Sequence, residues 1–371
     1  MRRRLLDWVA CPLCGGPLRL EAFETAEDEE EIEEGILACG CTAAFPVLGG
    51  VPRIVEGALH AQEEFRRRRG DRLRESGVLS GKALQPASPE FRALVAPTMD
   101  RFGKEWEKHP LEETTWGLDQ TTRLQHALRY LGWTAEEAKG RVVLDAGCGT
   151  GKLTCGMASW GGEVVGVDLN PSAARGWHAR RTLAGDRAAS VHIVQGDLMH
   201  PPFRSGSFDG VHSAGVLHHT PDTLRAFRAV APLVKPGGSL GVWLYKVGHE
   251  EAGRLPWLPF VRGKWASIPF RTLRPWTTGM APSVLYALLF AYAAVFHAFY
   301  AAGALLRGRR HGKTIRERTT SLFDSLAPPF VWHHTVPEVV GWFEAAGFHE
   351  VVETTVPGDD DGFCVTGRRK A

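Results

Sequence analysis

The amino-acid sequence predicts an α/β protein: a parallel sheet with helices on both faces, a small module ahead of it and a helical insertion late in the chain. Three observations predict it. Short apolar runs alternate with helix-length segments across residues 121–246, the pattern of strands joined by helical crossovers. One of those runs closes on three glycines, Gly147, Gly149 and Gly151. Four of the seven cysteines form two close pairs within the first 57 residues.

Those 57 residues read as a unit. Cys11-Pro12-Leu13-Cys14 is followed by Gly15-Gly16, and Cys39-Gly40-Cys41 supplies a second pair after 24 intervening residues. Two thiolate pairs at this spacing suit a tetrahedral metal, so Cys11, Cys14, Cys39 and Cys41 are expected to hold a structural zinc with no open position. Cys148, Cys155 and Cys364 are scattered, as buried thiols of a reducing, cytoplasmic compartment would be. Arg2–Arg4 precede an apolar stretch that is short and contains Asp7, so no export signal is expected. Residues 21–34 hold nine acids and read as a solvated hairpin or loop, unsuited to face RNA. Over the whole chain 44 Lys and Arg nearly balance 42 Asp and Glu, which gives no argument for a nucleic-acid partner.

Residues 58–120 read as a charged, helical lead-in, with Arg66–Arg69 on a solvated helix face. Strands are expected at 141–146, 163–168, 191–195, 208–213 and 239–245, and a helix at 220–233. A further helix at 336–346 and strands at 348–356 and 362–367 close the chain. Ligands of such sheets lie beyond the carboxyl ends of the strands. The first strand runs into Asp145-Ala146-Gly147-Cys148-Gly149-Thr150-Gly151, where glycines allow close backbone approach. Asp145 ahead of the glycines suits a cationic ligand better than a pyrophosphate. Asp168 ends the second strand, 17 residues after Gly151, where a carboxylate would grip two ribose hydroxyls. Asp197 ends the third, placed for an adenine amino group.

On these residues the chain resembles the class I S-adenosylmethionine-dependent methyltransferases, in the group that includes ubiquinone and menaquinone methyltransferases. The resemblance covers about residues 120–246 and 335–367. It extends to Phe208–His219 and to Leu233-Val234-Lys235-Pro236-Gly237-Gly238. It implies a Rossmann-like seven-stranded sheet and S-adenosylmethionine as methyl donor. Asp145, Ala146, Gly147, Gly149 and Gly151 would serve the methionine side, Asp168 and Leu169 the ribose, Asp197 and Leu198 the adenine, with Ser213 on the fourth strand. The knuckle together with Ala44–Ile54 resembles the small zinc-ribbon family that activates tRNA and protein methyltransferases as a separate subunit.

Methyl transfer from a sulfonium is an in-line displacement, and alignment with exclusion of water can supply roughly 7–11 kcal/mol. A hydroxyl acceptor also needs a base. His218 and His219, directly after the fourth strand, are the candidates, with a packing role as the alternative. His333 and His334 could approach from the far side or hold a loop. Residues 102–117 resemble the lead-in of bacterial small-molecule methyltransferases, so the expected acceptor is small or lipid-linked and methylated at oxygen. RNA methylation is the alternative, prompted by the zinc module. Against it, the fourth strand lacks both the Asn/Asp-Pro-Pro-Tyr/Phe sequence and a Pro-Cys nucleophile. A third reading is a binding scaffold that keeps the donor fold.

Residues 247–334 exceed what the fold needs. Ser283–Leu306 is 24 residues without Asp, Glu, Lys or Arg, flanked by Arg262, Lys264, Arg271 and Arg274 and by Arg307, Arg309, Arg310 and Lys313. Its length would span a bilayer, yet a crossing would part the last helix and strands from their sheet. The expectation is a helix capping the pocket or making peripheral membrane contact.

Overall fold

A computed structural model describes residues 1–26, 30–79, 81–108, 111, 115, 118–247, 272–306, 314–359 and 361–371. Its centre is the expected parallel sheet. Strands β5 (Val143–Ala146), β6 (Val164–Asp168), β7 (Val191–Gly196), β8 (Phe208–Ala214) and β9 (Val234–Tyr245) are joined by helices such as Lys152–Met157, Ala174–Ala184 and Thr223–Val230. With β10 (Phe348–Glu353) and β11 (Gly362–Arg369) they stand in the order β7-β6-β5-β8-β9-β11-β10. The first five pair in parallel, and β11 enters antiparallel to β9. Strands β5 and β7 are buried along their whole length, as expected of strands covered on both faces, which read as continuous apolar runs. The chain steps outward from β5 to β7, then returns to β8, so the switch point lies at the carboxyl end of β5.

The sheet does not stop at seven strands. The module contributes β1 (Leu18–Thr25), β2 (Ile32–Cys39), β3 (Ala44–Leu48) and β4 (Val51–Ile54), and β4 pairs in parallel with β7 through Arg53 with Gln195 and Ile54 with Gly196. One eleven-stranded sheet results. Strand β7 would otherwise present an edge of unpaired amides, which β4 satisfies. The module shares the central core too: Leu5, Trp8, Ile32, Leu37, Phe45 and Val47 belong to the same buried cluster as Leu144, Val165 and Val194.

The acidic stretch contributes to the β1–β2 hairpin, one of the two forms expected for it, whereas the basic run is not simply the solvated face expected of it. Arg68 pairs with Glu34 at 2.7 Å, and Arg69 reaches Glu24 and Glu34 at 2.6 Å each. Opposite charges in the folded module find each other across about 40 residues of chain, a pairing that helical spacing does not reveal. Glu31 is buried against the buried Arg180 of helix Ala174–Ala184, whose guanidinium lies 3.6 Å from the Trp177 ring centre.

In the insertion, helix Pro282–Leu306 packs on helix Ile315–Leu326 through a small cluster of Leu285, Phe323 and Ala327. Arg101, on helix Ala96–Lys108, ties it down by donating to the carbonyls of Thr277 at 3.1 Å and Met280 at 2.8 Å, and to that of Thr278. Among the described residues no helix is long and apolar enough to cross a membrane. Arg262, Lys264, Arg271, Arg307, Arg309, Arg310 and Lys313, with Trp116 and Gly117 of the lead-in, lie outside the described residues.

Candidate active site

A cavity of about 890 Å³ opens at the carboxyl ends of β5, β6, β7 and β8. Its floor is the turn after β5. Gly147 holds φ +89°, and a Cβ there would come within 2.2 Å of the Val216 side chain. Gly149, at φ +57°, aims its N–H at the Asp168 carboxylate at 2.8 Å. That bond locks the turn against the end of β6. Asp168 also accepts from the Asn170 backbone N–H at 3.0 Å and from its side-chain amide at 2.5 Å. Burial nonetheless pushes its carboxyl up to about 6, against those hydrogen bonds. A half-buried carboxylate at the cavity wall keeps lone pairs beyond those three bonds and is suited to accept further hydroxyl donors.

Asp145 lies beneath this turn. It accepts from the Thr154 hydroxyl at 2.7 Å and faces His212 Nδ1 at 3.1 Å. Asp197 accepts from the Met199 N–H at 2.9 Å, and Asp197 and Leu198 line the wall nearest β7. Asp145, Gly147, Gly149, Asp168, Leu169, Asp197 and Leu198 all line the one cavity. Ala146, Gly151 and Ser213 do not line it and have other places. Ala146 ends β5, Gly151 caps the following helix, and the buried Ser213 hydroxyl donates to the Ala146 carbonyl at 3.0 Å, bracing β8 to β5.

Residues 144–242 match the protein family described as "Methyltransferase domain". Residues 144–242 thus form a methyltransferase domain, on the sheet expected of the class I, S-adenosylmethionine-dependent kind. The chain is 38% identical over 112 residues to a ubiquinone biosynthesis O-methyltransferase of Pectobacterium atrosepticum, a match covering 30% of this chain and 45% of the relative. It is 33% identical over 164 residues to one from Xanthomonas oryzae pv. oryzae, covering 42% of this chain and 62% of the relative. The matched stretch thus spans about half the length of these curated relatives. Magnesium protoporphyrin IX methyltransferase of Synechocystis, solved with bound S-adenosylhomocysteine, overlays with a TM-score of 0.38 at 14% identity, covering 68% of this chain and 83% of that one.

The other half of the methyltransferase cavity is built by the lead-in, β9 and the insertion. Phe102 and Trp106 come from helix Ala96–Lys108, Trp243 and Tyr245 from β9, and Ser321, Asp324 and Ser325 from helix Ile315–Leu326. The two histidines after β8 part company here. His219 lines the cavity and His218 does not. The His218 ring has no exposure, packed 4.1 Å from the Tyr245 ring and 4.3 Å from that of His219. His219 Nδ1 lies 3.0 Å from the Phe330 carbonyl. A carbonyl only accepts, so Nδ1 carries the proton and Nε2 keeps a lone pair. Asp324 stands 3.9 Å from that Nε2 and accepts from the Tyr245 hydroxyl at 2.7 Å. Burial holds the His219 imidazole below its ordinary pKa, opposed by the Asp324 charge.

His333 and His334 serve the loop. The His333 ring stacks on Tyr245 at 5.9 Å, and His334 pairs with Glu338 at 3.1 Å. Sequence reasoning missed Arg123, His126, Tyr130, His212, Tyr245 and Asp324, all of which line the cavity. Arg123 is a half-buried guanidinium held below its ordinary pKa by desolvation, with the Asp145 charge opposing.

The cysteines of the module converge as their spacing suggests. The sulfurs of Cys11, Cys14, Cys39 and Cys41 lie within 4.8 Å of one another. Cys11 and Cys41 are 3.7 Å apart, and Cys14 and Cys39 are 3.4 Å apart. Tetrahedral bonds of about 2.3 Å to one zinc require sulfurs about 3.8 Å apart, so the donor set and its size fit. The cluster lies in the module, and none of its members lines the cavity.

Proposed function

We propose that the protein transfers a methyl group to a hydroxyl oxygen of a small or lipid-linked acceptor, with His219 as the base. S-adenosylmethionine supplies the methyl as a sulfonium. Asp168 would hold the ribose hydroxyls, with Leu169 beside it, and Asp197 and Leu198 would flank the adenine. The glycine turn, with Asp145 beneath it, would receive the methionine end, and Arg123 offers that end's carboxylate a half-buried cation. As the new C–O bond forms and the C–S bond breaks, the acceptor's proton passes to His219 Nε2. Phe102, Trp106, Trp243 and Tyr245 exclude water from that step. The observation that carries this reading is the convergence on one cavity of the donor-type carboxylates and the His219 imidazole, whose Nδ1 is held by the Phe330 carbonyl and whose Nε2 lies toward Asp324.

Zinc, in this reading, ties the four cysteines and has no part in the transfer. The acceptor would come from solution or from a membrane touched through residues 283–306, and the compartment is the cytoplasm. The test is methyl transfer from labelled donor to a series of catechols and reduced quinones, with tRNA and rRNA run in parallel. Label on a phenolic oxygen, lost in His219→Ala, supports it. Label in RNA alone would move the assignment to the RNA alternative.

A further inference from the structure

The acceptor half of the cavity holds carboxylates and aromatic rings but little positive charge. Asp324 and Asp359 line it, with the rings of Trp106, Trp243 and Tyr245. The Tyr245 hydroxyl donates to Asp324 at 2.7 Å, and the Trp243 indole N–H to Asp359 at 2.8 Å. Among the described residues the one basic group within ion-pair reach of Asp324 is the His219 imidazole, 3.9 Å away, and Asp359 has none. His219 and His126, which feel Asp324 and Asp359 respectively, are both held below their ordinary pKa by burial. Neither carboxylate therefore has a lasting cation to answer its charge.

Glu105 adds a third carboxyl from behind the wall. It is 2% exposed, and neither of its oxygens has a hydrogen-bond partner. Thr98, Phe102 and Glu105 recur at the spacing of one face of helix Ala96–Lys108. Thr98 and Phe102 line the cavity, and the Phe102 ring lies 5.0 Å from that of His219, so this is the helix's cavity face. Burial, with the Asp324 charge adding to it, pushes the Glu105 carboxyl well above the usual range. A buried carboxyl without a donor is costly, and two facing carboxyls resist double ionisation. A cation entering the cavity relieves both costs.

We infer that the acceptor carries a protonated amine, seated against Asp324 and the rings of Tyr245 and Trp243. Carboxylates hold an ammonium by charge-assisted hydrogen bonds, and aromatic faces add cation–π attraction where water is displaced. A bare metal ion is the poorer occupant, since among the described residues only the four cysteines converge closely enough to ligate one. An acceptor with a carboxylate of its own would be repelled. Asp324 lies 3.9 Å from His219 Nε2, so ammonium and hydroxyl meet the same wall. The placing of the hydroxyl rests on the proposed function; the ammonium seat does not.

The test is calorimetry of the full chain, loaded with S-adenosylhomocysteine, against three catechols that differ chiefly in side-chain charge: dopamine, 4-ethylcatechol and 3,4-dihydroxyphenylacetate. Dopamine is expected to bind about tenfold tighter than 4-ethylcatechol, the scale of a hydrogen bond to a charged group, and the carboxylate more weakly than either. Asp324→Asn should bring dopamine to the level of 4-ethylcatechol and leave the latter's affinity unchanged. Glu105→Gln, a neutral group of the same shape, should lower dopamine affinity alone, by a smaller factor. Equal affinities for the three, a preference for the carboxylate, or a dopamine preference undiminished in either variant would overturn the inference. Label carried from S-adenosylmethionine to a phenolic oxygen of all three at one KM would do the same while keeping the oxygen-transfer reading. Dopamine bound in preference, with no label on its oxygen, would keep the ammonium seat and sink that reading instead.

Discussion

The N-terminal module and the late insertion are both additions to the same seven strands, yet they are attached by different physics. The module joins through backbone hydrogen bonds from β4 to β7, a shared apolar core and the buried Glu31–Arg180 pair. The insertion is held chiefly by side chains: a cluster of three buried residues, the Arg101 bonds to three carbonyls and the Tyr245–Asp324 contact, with backbone bonds to the core near its end, from Trp332 to His218 and from His334 to Tyr245. An addition built into a sheet behaves as part of the fold. One resting on side chains can change without disturbing the sheet, and that suits a cover over an acceptor site. The module should therefore govern stability and the insertion should govern chemistry.

The largest effect should come from breaking the module's attachment. Glu31→Ala strands the Arg180 guanidinium in the core, with an expected loss of about 3–5 kcal/mol. Denaturant unfolding would measure it, and calorimetry should find donor affinity little changed in the fraction that remains folded. A cost under about 1 kcal/mol would mean that the module is no better anchored than the insertion.

Between the two additions, Asp168→Ala tests the strands themselves. Two hydrogen bonds to a charged acceptor are each worth about 1.5–3 kcal/mol, so donor affinity should fall by about 3 kcal/mol or more. An unchanged dissociation constant would show the ribose to lie elsewhere.

The chemistry lies where the insertion meets the turn after β8, at Asp324 and His219. His219→Ala should lower kcat by about 100-fold or more, the ordinary scale of general-base loss. Asp324→Asn removes the charge that holds the His219 pKa up against burial, so the imidazole becomes a weaker base and kcat should fall, by less than in His219→Ala. The direction with pH follows from the base being the neutral imidazole. Burial lowers the pKa of His219 and Asp324 raises it, so activity persists below the usual histidine value of about 6.5 and falls as pH drops through the lowered one. In Asp324→Asn that fall should move to still lower pH, with donor affinity constant. A pH profile that does not move would reduce Asp324 to packing.

The smallest effect belongs to the metal. Chelation, or Cys14→Ser with Cys39→Ser, should lower the melting temperature by about 2–4 °C and leave donor affinity unchanged. Ile32, Leu37, Phe45 and Val47 remain buried in the common core without it. Loss of donor binding on chelation would show the cluster to act on the site after all.

What the sequence by itself determined is local or periodic. The strand–turn–helix from Val142 to Thr154 carries the donor loop within one stretch of chain, and Asp168 and Asp197 follow because each comes at or just after the end of a strand. The cysteine spacing carries a four-sulfur site for the same reason: close pairs need only a tight turn to converge. Tertiary structure alone decided the rest. His218 and His219 share a 3₁₀ turn, Leu217–His219, where successive side chains point about 120° apart, so packing against Tyr245 settles which one faces the cavity. Arg123, His212, Tyr245 and Asp324 come from four elements whose nearness is created only when the sheet closes and the insertion folds over it. The union of β4 with β7 is of the same kind. Strand edges carry no side-chain signature of their partner, because the bonds that join them are backbone amides common to every residue.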